Sequence, residues 1–292
     1  MKKIRAIVSS LITLCATGVL ALAGCTNVVR YDKYANADLY TVGSASISAE
    51  KVQSVEIDWV NGNIEVEQTA SQTLQVIEEK SSEKDAERMR YYLDGNVLKV
   101  KYCESGLRGN INTQNKNIRV EIPAGLSLEI DSVGAGITVG VLDVVNLSIE
   151  SVSGNITAER IVSGEAEIET VSGKVSIGEL IAPFVSLDSV SGSVSITRLS
   201  VDSLEAETVS GGLSFGVQKA LTAEVESTSA EVTFILGEGL GATVRLETAT
   251  GKLKTEKQFG KSGMRYDVYG ADGTSTECKI QIETFSGNVN IL

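Results

Sequence analysis

Asp131, Glu150, Glu169, Asp188, Glu207 and Glu226 recur at intervals of 19 residues. Asp58, Glu247 and Glu283 hold the same position in looser repeats, and Glu129, Glu167, Glu205 and Glu224 lie two residues before members of the series. If segments 19 residues apart stack, these side chains form a file of carboxylates about 4.8 Å apart. Three uses of such a file stand open. It can be a solvated face that keeps other sheets away. It can bind a divalent cation, since carboxylates and hydroxyls suit calcium. It can meet a basic partner, such as a cationic peptide or a wall polymer. The glycine-aspartate repeat of calcium β-rolls does not occur, and no metal ligand set is assigned.

Other chemistry finds little support. The chain has no histidine, which removes the commonest general base and most zinc or copper sites. There is no C-x-x-C pair and no phosphate-binding glycine loop. Carboxylates also serve glycosidases and lyases, but those sites sit in clefts made by long loops with exposed aromatics. The strict repeats carry no long loops, and Trp59 is the only tryptophan. The reading is of a protein that is not an enzyme and needs no cofactor.

The elements that position the acids are set by a repeated phrase. Ser151-Val152-Ser153-Gly154 returns as Thr170-Val171-Ser172-Gly173, Ser189-Val190-Ser191-Gly192 and Thr208-Val209-Ser210-Gly211. Apolar residues keep the same period. Leu147, Ile149, Val152, Ile156 and Ala158 map onto Val185, Leu187, Val190, Val194 and Ile196, for example. Spacing by two within a repeat predicts short strands. A fixed period near twenty predicts a solenoid. The expected fold is all-β: a parallel β-helix with rungs of about 19 residues. It is expected to be right-handed, from the general preference for right-handed crossovers. The valine of each phrase is expected inside, so a charge at Val190 should be disruptive. The corner glycine is expected to supply positive φ. Ala135 and Ala230 stand at that place in two repeats, so either those corners are relaxed or φ is negative throughout. Stacked Ser and Thr hydroxyls are expected to bond along their file and to the turn backbone. The Asp94-Gly95-Asn96 turn predicts an N-terminal β-hairpin cap, and residues 259–273 a second capping element.

Lys2, Lys3 and Arg5, an apolar run over Ile7–Leu22, and Leu22-Ala23-Gly24-Cys25 read as a lipoprotein signal peptide over residues 1–25. Cleavage before Cys25 would place acyl chains, palmitate among them, on that residue, making the membrane a partner. Residues 26–48 read as a tether whose tyrosines either dock on the domain or sit at the headgroups. A single solenoid domain is expected over 49–292, with strict repeats over 128–241. Loss of residues 1–25 leaves 23 basic against 38 acidic residues, a balance of −15. That disfavours nucleic acid and allows cations or basic partners. Cys103 and Cys278 remain, as two buried thiols or as a disulfide.

The lipobox, Val55-Glu56-Ile57-Asp58-Trp59-Val60-Asn61-Gly62, the hairpin with Leu98-Lys99-Val100, Ile118-Arg119-Val120-Glu121-Ile122-Pro123 and the Val-Ser-Gly corners together resemble a bacterial family. It is the β-strand-repeat domain of unknown function labelled "putative adhesin", and the resemblance covers about residues 40–292. It implies a β-solenoid in the cell envelope without established catalytic residues. Such proteins occur beside small membrane-associated regulators. The expected function is a lipid-anchored, extracytoplasmic, non-enzymatic surface-binding scaffold. The alternative is an accessory in envelope-stress sensing that acts through a membrane partner.

Overall fold

The computed structural model describes residues 29–109, 116–270 and 277–292. Cys25 and the signal peptide lie outside the described residues. The chain is an all-β solenoid of mainly parallel strands, and it divides between Thr157 and Ala158 into two compact units.

In the second unit, Val175–Ser189 and Val194–Thr208 pair in parallel along almost their whole length, with Val175 beside Val194 and Val185 beside Leu204. The 19-residue period is therefore the inter-strand register itself. Alternation breaks at Gly178-Glu179 and again at Pro183-Phe184, so each coil turns between three short faces. One of these faces has no counterpart in the two-strand repeat. It buries Ile161, Leu180 and Leu199, with Ala182 and Val201 beside them.

The Ser/Thr-Val-Ser-Gly corner differs from expectation in two ways. First, the valine is not inside. Val152, Val171, Val190 and Val209 are half-buried, whereas Ser151, Thr170, Ser189 and Thr208 are buried at 1% exposure or less. Inward alternation runs on through the hydroxyl residue, and the chain turns after it. The hydroxyl then satisfies the corner: Ser151 Oγ donates to Gly154 O at 2.9 Å and Ser189 Oγ to Gly192 O at 2.6 Å. The Gly211 N–H donates back to Thr208 Oγ1 at 3.0 Å. The second serine bonds to the coil before it, as Ser153 Oγ to Val133 O at 3.0 Å and Ser191 Oγ to Val171 O at 3.1 Å.

Second, the corner glycines do not have positive φ. Glycine is needed for space. A Cβ on Gly211 would stand 1.9 Å from Gly192 O, and one on Gly192 would stand 2.1 Å from Gly173 O. Neighbouring coils meet here backbone to backbone.

Coils do not stack in chain order. In the first unit, Ser54–Trp59 lies between Val97–Lys101 and Ser127–Ser132, parallel to both. On another face, Asn63–Thr69 lies between Asn117–Pro123 and Gly136–Val139. In the second unit, Cys278–Thr284 is inserted between Thr222–Ser227 and Ala242–Thr248. This strand of the last coil thereby gains a partner on each side. Antiparallel strands then cover the outer coils. Arg90–Asp94 lies on Val97–Lys101, and Thr73–Glu79 on Asn117–Pro123. Arg265–Val268 covers part of Ala242–Thr248, with Phe259–Ser262 outside it. Both excursions are capping elements that hide parallel edges.

Residues 31–48 are not a free tether. Ala45–Ser48 pairs with Thr73–Glu79, Tyr31 is 5% exposed and Tyr34 Oη donates to Cys103 O at 3.0 Å. Tyr31 packs on Tyr102, and Tyr40 on Tyr92. The tyrosines dock on the first unit. Cys103 and Cys278 are both free and buried.

Two mutant pairs test this packing. Gly211→Ala should lower stability by about 1–3 kcal/mol through overpacking. Gly212→Ala, whose Cβ would meet nothing closer than 3.8 Å, should be nearly neutral in the same denaturant titration. Leu187→Asp should prevent folding, because Leu187 is 1% exposed, while Val190→Asp should still fold and melt cooperatively.

Candidate functional site

The acids lie where alternation turns side chains outward, one residue before the buried hydroxyl of each corner. Within the second unit the register sets Asp188 beside Glu207, Glu207 beside Glu226, Glu226 beside Glu283 and Glu283 beside Glu247. Insertion of Cys278–Thr284 thus brings Glu283 into the file between Glu226 and Glu247. No basic residue interrupts these five positions. Glu205 and Glu224 flank the file in register with each other. Glu169 is buried in the same unit, and Glu167 is exposed. In the first unit Asp58, Asp131 and Glu150 stand in register.

The same architecture neutralises stacked charge elsewhere. At another corner Glu179 Oε2 lies 2.7 Å from Arg160 Nε and 3.1 Å from the Arg198 guanidinium, so acid and base alternate up that file. In the first unit Lys101 pairs with Asp58, and Lys99 lies 3.1 Å from Asp94 and 3.8 Å from Glu56. Sequence reasoning missed both lysines. Matching Leu98 and Val100 to Val55 and Ile57 would have placed them on the acidic face, because that is the observed register.

Burial raises the carboxyl of Asp188 from its ordinary 3.8 to about 7, and Glu207, Glu167 and Glu205 add like-charge repulsion. Burial also raises Asp131, with Lys101 opposing and Glu56 assisting the shift. Among the described residues, no three acids or thiols converge closely enough to hold a metal ion. Serine and threonine hydroxyls along the strict corners are engaged by corner backbone.

A second charged cluster is internal. Lys116 is 5% exposed, and its Nζ lies 2.9 Å from Glu78 Oε1, donates to Glu87 O at 2.7 Å and bonds to Tyr102 O. It stands 4.3 Å from the Tyr102 ring centroid, while Trp59 Nε1 donates to Lys116 O at 2.9 Å. This pair is closed off and ties the cap to the coils. Desolvation lowers the Lys116 pKa, with Glu78 opposing the shift.

Beside the outer end of the acid file is a cleft of about 370 Å³, lined by Glu226, Glu247 and Glu283 together with Thr228, Ala249 and Phe285. Phe285 is 65% exposed. No helix among the described residues is long and apolar enough to cross a membrane.

These features define a β-solenoid with an ordered acidic face. The chain belongs to the Toastrack DUF4097 family, whose model matches residues 52–292. It is similar in fold to a "putative adhesin" from Bacteroides fragilis NCTC 9343, at 12% identity and a TM-score of 0.51, covering 86% of this chain and 97% of that one. A "putative lipid binding protein" from Parabacteroides distasonis ATCC 8503 matches at 12% identity and a TM-score of 0.49, over 85% and 96% of the two chains. Comparison with curated proteins gives no match.

The Asp188 shift fixes a pH dependence. The folded chain holds this proton up to about pH 7, whereas the unfolded chain releases it from its ordinary 3.8. The stability this group contributes is full below the unfolded value and lost as pH rises through the folded one. Asp188→Asn should therefore raise the melting temperature at pH 8, and the gain should vanish by pH 4. An equal gain at both pH values would show that ionisation is not the cause.

Proposed function

We propose that the protein is a lipoprotein held on the extracytoplasmic face of a bacterial membrane by acyl chains on Cys25. It acts as a non-enzymatic surface-binding scaffold, and its acidic face meets basic groups on a wall polymer or protein. The observation that carries this reading is the unbroken acid file from Asp188 through Glu207, Glu226 and Glu283 to Glu247. Stacked like charges cost roughly 1 kcal/mol per pair in a high-dielectric setting. Glu179 with its two arginines demonstrates that this fold accommodates the compensating alternative. A file with no bases alternating in register, met by Arg245 at its outermost acid Glu247, is explained by a partner that supplies positive charge. The adhesin name of the Bacteroides relative agrees with a binding role.

The envelope-sensing alternative draws support from the docked tyrosines. With Tyr31 fixed on the first unit, the five residues 26–30 separate it from Cys25. Fully extended they span at most about 20 Å. A lead that short keeps the protein close to the bilayer, where a membrane partner is within reach.

The anchored reading is tested by Cys25→Ala in the full chain. It should abolish palmitate incorporation and move the protein out of the membrane fraction, while the wild-type protein binds isolated wall material in a salt-sensitive way. Retention of labelled palmitate by the variant would refute the anchor. Capture of a membrane protein, with no wall binding, would favour the sensing reading.

A further inference from the structure

We propose that the cleft at Phe285 is a binding site for the basic side chain of a peptide, an arginine by preference. The inference rests on the surface-binding reading and gives it a location and a ligand chemistry.

Three stacked coils build the cleft from equivalent positions. Glu226, Glu283 and Glu247 form one file, and Ser227, Thr284 and Thr248 the next. Thr228, Phe285 and Ala249 follow them in the chain and line the same cleft. In the strict coils this last position is valine, a half-buried side chain at the corner. At Phe285 it becomes the most exposed large apolar side chain among the described residues, at 65%. Small neighbours, Thr228 and Ala249, leave room beside the ring. The insertion of the last coil is what sets this ring and Glu283 between the other two coils.

An exposed aromatic face beside stacked carboxylates is matched by a planar cation. A guanidinium can stack on the ring through one face and donate in its own plane to carboxylates. Arg245 shows how the chain meets the outermost acid: its guanidinium lies 2.7 Å from Glu247 Oε1, on the same strand. Among the described residues no cation pairs with Glu283, which is adjacent to Thr284 and two residues before Phe285. The acid file continues from the cleft through Glu207 to Asp188, so a peptide with further basic residues gains attraction along its length. A neutral or acidic peptide would be repelled or unheld, and a simple apolar ligand would leave the carboxylates desolvated against it.

The test titrates the full-length protein with a fluorescent penta-arginine peptide and, separately, with penta-lysine. Wild type should prefer arginine. Phe285→Ala should weaken arginine binding by about two- to fivefold, the range for an exposed cation–ring contact. Phe285→Tyr should bind as wild type does. Glu283→Gln should weaken both peptides and reduce the salt dependence. Both positions are exposed, so unchanged melting curves should accompany these losses. Unaltered arginine binding in Phe285→Ala, with binding lost instead in Glu205→Gln/Glu207→Gln, would overturn the site and leave only a diffuse acidic face. Absence of peptide binding while wall binding persists would overturn the ligand assignment without touching the surface-binding reading. Loss of both would remove the two together.

Discussion

Everything in each unit depends on how closely one corner lies over the next. Where Gly211 passes Gly192 O there is no room for a Cβ, and the same is true of Gly192 over Gly173 O. That contact fixes the separation of the coils at backbone distance. The buried hydroxyl three residues before each glycine answers the corner's own polar groups, as Ser189 does for Gly192 O. The turn can therefore be dry and tight without leaving buried polar atoms unsatisfied. Once corners stack this way, coil length is locked, and any residue type repeated every 19 positions becomes a file. The acidic face is a consequence of the corner before it is anything functional.

A file of carboxylates on a rigid backbone behaves differently from acids on a loop. Side chains at Asp188, Glu207, Glu226, Glu283 and Glu247 cannot separate without breaking the ladder that carries them. Their repulsion is held in place, and part of it appears as the raised pKa of Asp188. A partner that brings positive charge relieves repulsion and gains attraction in one step. Such gathering of acids before binding would favour the proposed basic ligand. The non-sequential insertion of the last coil adds to this order. It gives Cys278–Thr284 a neighbour on both sides, so the segment bearing Glu283 is held as firmly as an internal coil.

The repeat, the parallel stacking and the acid file were legible because they rest on periodicity, and periodicity survives without coordinates. The strands over the third face were less so, since Leu180 and Leu199 follow breaks in alternation that a two-strand template discards. The valines misled for a physical reason. Apolar type at Val190 suggests burial, while the buried place belongs to Ser189, whose hydroxyl is satisfied locally. Stacking order was not legible at all: the pattern around Val55 fits equally beside Leu98 or Leu128, and it lies beside both. Docking of Tyr31 and Tyr34 has no periodic signal, because it depends on individual contacts with Tyr102 and Cys103.

The claim beneath all of this is vertical registry of residues 19 apart. Nitroxide labels on cysteines placed at Ser191 and Ser210, both exposed corner serines, measure it directly by electron spin resonance. Strong spin–spin broadening, from sites about 5 Å apart at the backbone, is the predicted spectrum. Two sharp, non-interacting labels would mean that successive corners do not lie over one another, and the ordered acidic face would not exist.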